Sequence, residues 1–178
     1  MPTHPTYRVL LAKEGFKFSA AHFTLFPEGK AELLHGHNYQ VAVELEGEAL
    51  DSYGLLCDFV RVKSAIRRVC EELDTRTLVP AESSELELGE EGDGVVVVYR
   101  DRRYVFPARD VLVLPLLNTS IELLARWFWQ QLLPAVGGSP VTLLAVSVAE
   151  TAGQSCWYRA PVPGAARDAD AELGGWLG

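Results

Sequence analysis

The chain contains four histidines, and three of them, His22, His35 and His37, fall within sixteen consecutive positions. His22 closes the run Phe18-Ser-Ala-Ala-His22, and the other two form His35-Gly36-His37. On an extended segment, residues two apart share a face, so both imidazoles of His-x-His point the same way. Gly36 between them lets the backbone bend tightly. A third imidazole from a neighbouring strand completes a His₃ set, which leaves zinc one open coordination position for water or substrate. An isolated His-x-His pair more often decorates a surface than binds metal, and the clustering of the histidines is what favours a ligand set here. Such sets also accept iron, cobalt, nickel and copper.

The elements that must position these side chains follow from periodicity. Residues 7–21 are extended in character, with Tyr7, Val9 and Leu11 and then Phe16, Phe18 and Ala20 on one face, and a bend or bulge at Gly15. After a loop over residues 23–34, residues 37–46 alternate again, with Val41, Val43 and Leu45 on one face and Gln40, Ala42, Glu44 and Glu46 on the other; this is a half-buried antiparallel strand. Asp58 can cap a helix whose apolar residues Phe59, Val62, Ile66, Val69 and Leu73 recur at helical steps, ending near Asp74. Residues 80–93 read as a polar loop leading into a hairpin, 95–99 and 104–106, around the charged turn 100–103. A second helix runs from about Ser120 to Leu133, with Leu123, Leu124, Trp127, Phe128 and Gln131 in register, and Pro134 stops it. Residues 141–148 and 155–159 form two strands joined by a turn containing Gly153.

This order predicts an α+β domain, with two helices on one face of an antiparallel sheet whose open edges need partners. Residues 1–160 form a single domain with an insertion at about 80–114, and residues 161–178 form a flexible C-terminal tail.

Composition narrows the function. At 178 residues and 48% hydrophobic, the chain can bury about two-thirds of its unfolded surface in one core. A formal charge of −8 repels polyanions, so nucleic acid is not an expected partner. The three cysteines, Cys57, Cys70 and Cys156, have scattered spacings that suggest neither a disulfide framework nor a cysteine metal site. No apolar run approaches the ~20 residues of a membrane span, and no signal peptide is visible, so a cytoplasmic protein without a membrane partner is expected.

Phe18-Ser-Ala-Ala-His22 followed by Leu34-His35-Gly36-His37-Asn38-Tyr39 resembles the 6-pyruvoyl-tetrahydropterin synthase and 6-carboxy-tetrahydropterin synthase superfamily. The likeness continues in Gly54-Leu-Leu-Cys-Asp58-Phe59, in Leu73-Asp74, in Asn118-Thr-Ser120-Ile-Glu122 and in Val146-Ser-Val-Ala-Glu150-Thr151. The resemblance implies a T-fold subunit, in which trimers close their sheets into a barrel, two trimers stack into a hexamer, and active sites form at subunit interfaces. It implies that His22, His35 and His37 are zinc ligands, that Glu150 anchors the edge of a pterin substrate, and that Ser120 and Glu122 line a neighbouring subunit's pocket. A serine that begins a helix and a glutamate in its first turn are equally well explained by capping and the helix dipole.

The chain departs from the synthase pattern at two catalytic positions. The usual cysteine base, four positions before His-Gly-His, is Ala31, and the histidine expected after Leu73-Asp74 is Thr75. Glu32 offers a replacement, because Glu32-Leu-Leu-His35-Gly36-His37 resembles the Glu-x-x-His-Gly-His of a branch that makes 6-hydroxymethyl-dihydropterin. A glutamate beside zinc can accept a proton from the substrate side chain in a retro-aldol cleavage; alternatively, Glu32 is an ordinary residue of a hydrophilic loop. Asp74 matches the family's relay aspartate, or else closes the helix or pairs with Arg76. The expected function is thus a zinc-dependent pterin lyase acting on 7,8-dihydroneopterin triphosphate or a related pterin. The alternatives are a pterin-binding homologue that lost catalysis and an enzyme for another small molecule.

Overall fold

The computed structural model describes residues 5–164. It begins with strands β1 (Tyr7–Leu11) and β2 (Lys17–His22), a two-residue pair β3 (Leu25–Phe26) and β4 (Lys30–Ala31), and the long strand β5 (His35–Gly47). Helix α1 (Phe59–Leu73) leads into β6 (Arg76–Pro80), then β7 (Glu87–Glu91), β8 (Gly94–Tyr99), β9 (Arg102–Pro107) and β10 (Val111–Leu114). Helix α2 (Ile121–Val136) precedes the closing hairpin β11 (Leu143–Thr151) and β12 (Gln154–Pro161).

β5 organises the main sheet. Its first half pairs with β2, its second half with β1 on the same side, and β11 takes the other side. Alternation puts Tyr39, Val41, Val43 and Leu45 on the helix-covered face, where all four are fully buried. α1 starts because the Asp58 carboxylate accepts from the Val60 and Arg61 N–H groups at 2.8 and 3.3 Å, and it buries Val62, Ile66, Val69 and Leu73 against the sheet. α2 buries Leu124, Trp127, Phe128 and Leu132 in the same core, and the Trp129 indole N–H donates to the Leu144 carbonyl at 3.0 Å.

Several expectations need correcting. The sheet is mixed, since β6 runs parallel to β2 and β10 parallel to β6. Parallel neighbours require a long crossover, and the segment between β6 and β10 supplies one. That segment is a three-stranded antiparallel sheet, β7-β8-β9: the acidic stretch read as loop contributes β7, and β10 rejoins the main sheet. Pro134 does not stop α2, which continues to Val136. The last turn closes through the Gly137 N–H to the Leu133 carbonyl at 3.1 Å, and Val136 is buried, which together outweigh the one N–H that proline lacks. Glu44, expected on a solvated face, is 4% exposed because Arg8 from neighbouring β1 and Arg159 from β12, one strand beyond β11, cover it. Of the predicted tail, Pro161 closes β12 and Val162 is buried, while residues 165–178 lie outside the described residues. All three cysteines are free, and among the described residues no helix is long and apolar enough to cross a membrane.

Where β5 ends, Gly47 runs against the chain entering β11. A Cβ there would stand 2.4 Å from the Pro140 carbonyl oxygen and 2.7 Å from Leu56 Cδ1. Gly47→Ala should therefore cost about 1–3 kcal/mol through overpacking, read as a lowered urea midpoint with unchanged slope.

Candidate metal centre

The β2–β5 register places the three histidines together. His22 and His35 are direct cross-strand partners, and His37 lies opposite Ala20. All three continue the face that carries Phe18 and Tyr39, and they sit at the end of the core beside the start of α2. Their candidate ligand atoms lie within 4.8 Å of one another, with the His35 and His37 Nε2 atoms 2.8 Å apart. His22 is 1% exposed, and the other two are partly exposed.

Backbone carbonyls fix the tautomers. His22 Nδ1 lies 3.2 Å from the Thr119 oxygen, and His35 Nδ1 lies 2.8 Å from the Leu33 oxygen. A carbonyl can only accept, so each Nδ1 carries the proton and each Nε2 presents a lone pair to the cluster. His22 Nε2 is fully buried without a hydrogen-bond partner. Glu150 Oε1 approaches the same point, 3.2 Å from His22 Nε2 and 3.3 Å from His37 Nε2. A buried, orphaned acceptor costs about 1–3 kcal/mol. Lone pairs and a carboxylate oxygen converging on one point suit a divalent cation, so the residues fit a His₃ metal site with one open position.

Burial holds the His22 pKa below its ordinary value; His35 and His37 act in the same direction, against the carboxylates of Glu150 and Glu32. Burial also pushes the Tyr39 phenol up, reinforced by Glu150, so it stays a donor, and its hydroxyl reaches Glu150 Oε1 at 3.4 Å. The other carboxylate oxygen of Glu150 accepts from Gln154 Nε2 at 3.0 Å.

Glu32 stands in the loop that leads to the histidines. Its carboxylate accepts from the Thr24 N–H at 2.9 Å, and its own N–H donates to the Thr24 carbonyl at 3.0 Å. Burial alone would raise its pKa. The Thr24 hydrogen bonds outweigh that, with a lesser contribution from the nearby His35 and His22 imidazoles, leaving the carboxyl below its usual range and ionised at neutral pH. No thiol competes as a base: burial pushes Cys57 to about 11 and Cys70 to about 12, and Cys156 lies on β12, raised by burial and Glu122.

The remaining sequence candidates have other partners. Asp74 accepts from the Ser19 N–H at 2.7 Å, three residues and roughly 10 Å along β2 from His22. Thr75, where the relay histidine was expected, adopts φ 60° and donates its N–H to the Ser19 carbonyl at 2.7 Å. The Asp74–Thr75 turn is thus clamped to β2. Ser120 caps α2, its Oγ accepting from the Leu123 N–H at 3.5 Å, and Glu122 is exposed in the first turn.

Sequence reasoning missed four contributors. Tyr39 belonged to the recognised motif, and the alternation from His35 could have placed it. Asn118 bonds both the N–H and the carbonyl of Leu25, at 3.1 and 2.8 Å, a contact 93 positions away that its residue type alone does not signal. The Thr119 and Leu33 carbonyls are main-chain groups, which leave no signal in residue type.

A mixed sheet covered by two helices, with three convergent imidazoles where β2 pairs with β5, defines an α+β fold with a candidate metal centre. The family model described as 6-pyruvoyl tetrahydropterin synthase matches residues 11–161, and the chain belongs to that family. A relative from Methanocaldococcus jannaschii, provisionally named a 6-carboxy-5,6,7,8-tetrahydropterin synthase, is 31% identical over 148 residues, covering 82% of this chain and 90% of its own. The crystal structure of 6-pyruvoyl tetrahydropterin synthase from Plasmodium vivax superposes with a TM-score of 0.82 at 30% identity, over 89% of this chain and 99% of that one. A further structure of the Plasmodium vivax protein, at the same score and coverage, carries an alanine in place of a glutamate described as a catalytic residue. The architecture is the expected T-fold.

The lowered His22 pKa gives a pH test. Its stabilising contribution is complete above about pH 6.5, the unfolded value, and is lost as pH falls toward the lower folded value. Metal-stripped protein should show a lower urea midpoint at pH 5.5 than at pH 7.5, and the difference should shrink in His22→Asn.

Proposed function

We infer that the chain is a zinc-dependent pterin lyase that cleaves the side chain of 7,8-dihydroneopterin triphosphate to 6-hydroxymethyl-dihydropterin, with Glu32 as general base. The observation that carries this reading is the Glu32 carboxylate, ionised, held by Thr24 and near enough to His35 and His22 to interact with their imidazoles, in a site with no thiol. The Plasmodium vivax relative, in which a glutamate is described as a catalytic residue, supports it.

His22, His35 and His37 would hold the zinc. When bound, it supplies a Lewis acid that polarises a substrate hydroxyl oxygen. Glu32 takes the proton of the C2′ hydroxyl. The C1′–C2′ bond breaks as the C2′ carbonyl forms, and its electron pair passes to C1′ and into the pterin ring. A proton delivered to C1′ then completes the hydroxymethyl product and releases glycolaldehyde triphosphate. Glu150 offers two oxygens to the paired N–H donors of the pterin edge. Because Oε2 is held by Gln154 and Oε1 faces the imidazoles, that role requires the carboxylate to turn toward the pocket. The open edges of β10 and β12 suit pairing with further copies, as in a trimer or hexamer. Ser120 and Glu122, at the start of α2, would then serve a neighbour's site.

Glu32→Ala should lower turnover of 7,8-dihydroneopterin triphosphate by about 10²–10⁴-fold while zinc content is kept, followed as formation of 6-hydroxymethyl-dihydropterin. Wild type that binds the pterin without turning it over would instead make the chain a binding protein, consistent with the clamped Asp74 and the loss of the relay histidine.

A further inference from the structure

The loop that carries Glu32 has little structure of its own. Between His22 and His35 it forms the two-residue pair β3–β4 joined by a single 3-10 turn over Pro27–Gly29, too short a ladder to fix a carboxylate. The inserted sheet holds it instead. Arg102 on β9 donates from Nη1 to the Glu32 carbonyl at 2.6 Å and from Nη2 to the Ala31 carbonyl at 3.4 Å. Its guanidinium also lies 5.8 Å from the centre of the Tyr99 ring, which keeps the planar fork oriented. Tyr99 and Val97 belong to a second apolar cluster, separate from the main core, that includes Phe23. Phe23 follows His22 directly, and its ring stacks on Tyr104 of β9 at 5.7 Å. At the turn between β8 and β9, Arg100 lies against Gly29, where an added Cβ would meet its guanidinium at 1.7 Å. Both ends of the loop and its middle are therefore gripped by one element. Arg103, one residue along β9, points the other way and pairs with Glu91 on the exposed side.

We propose that the inserted sheet β7–β9 is a buttress that sets the Glu32 carboxylate beside the histidines, with Arg102 as its positioning residue. The proposal rests on Glu32 being the base. Arg102 acts through the main chain: it fixes two consecutive carbonyls, and Glu32 and Thr24 then lock to each other through two hydrogen bonds. A lysine reaches one carbonyl where the arginine fork reaches two.

The test compares full-length, zinc-loaded wild type with Arg102→Ala, Arg102→Lys, Arg103→Ala, Glu32→Ala and the double variant Glu32→Ala/Arg102→Ala. Two readouts are taken: amide hydrogen exchange over residues 24–34, and kcat and KM for 7,8-dihydroneopterin triphosphate. Arg102→Ala should speed exchange at the Thr24 and Glu32 amides about tenfold or more. It should lower kcat roughly ten- to a hundredfold, with KM and zinc content unchanged. Arg102→Lys should fall between it and wild type, Arg103→Ala should match wild type, and the double variant should be no slower than Glu32→Ala alone. Unchanged loop exchange in Arg102→Ala overturns the proposal, as does a kcat loss that adds in full to that of Glu32→Ala. Should Arg102→Ala fail to fold, Arg102→Lys against Arg103→Ala decides by the same measures. Faster exchange together with a fully active Glu32→Ala would leave the buttress standing and remove Glu32 as the base.

Discussion

The pairing of β2 with β5 is the constraint on which the rest depends. It makes His22 and His35 direct partners and puts His37 two residues further along the same face. A one-residue slip would turn every side chain of β2 to the other face, burying Ser19 and Ala21 in place of Phe18, Ala20 and His22. The apolar core therefore enforces the register, since Phe18 stacks on Tyr39 at 4.6 Å and on Phe128 at 5.9 Å. The same pattern that builds the core aims three imidazoles at one point just beyond it.

That point lies at the border of two apolar clusters with different duties. The main core, under α1 and α2, fixes the strands and, through the Thr119 carbonyl, the tautomer of His22. The smaller cluster, beneath the inserted sheet, grips the loop with Glu32. The candidate metal ligands thus sit on paired strands, while the proposed base sits on a loop stiffened from outside. A proton-transfer group must be held within hydrogen-bond reach of its target, and the loop alone could not do that.

The helices were legible in the sequence because their signals are local: the Asp58 and Ser120 caps and the helical spacing of Val62, Ile66, Leu124 and Phe128 lie within single segments. The histidine convergence was legible because it follows from alternation along two strands. The strands β6 and β10 were not, since four or five residues beside a helix end or an insertion carry too weak a period, and only their parallel pairing identifies them. The burial of Glu44 depends on arginines from two other strands, and the placement of Arg102 depends on a contact seventy positions away in the chain. Neither relation has a local signature. The carbonyls of Thr119 and Leu33 could not be read at all, because their role belongs to the backbone.

Metal analysis of protein purified without a histidine tag, comparing wild type with His35→Ala and His37→Ala, tests the central claim most directly. The account predicts near one zinc per chain in wild type and its loss in both variants. Metal-free wild type, or variants that keep the full zinc content, would contradict it.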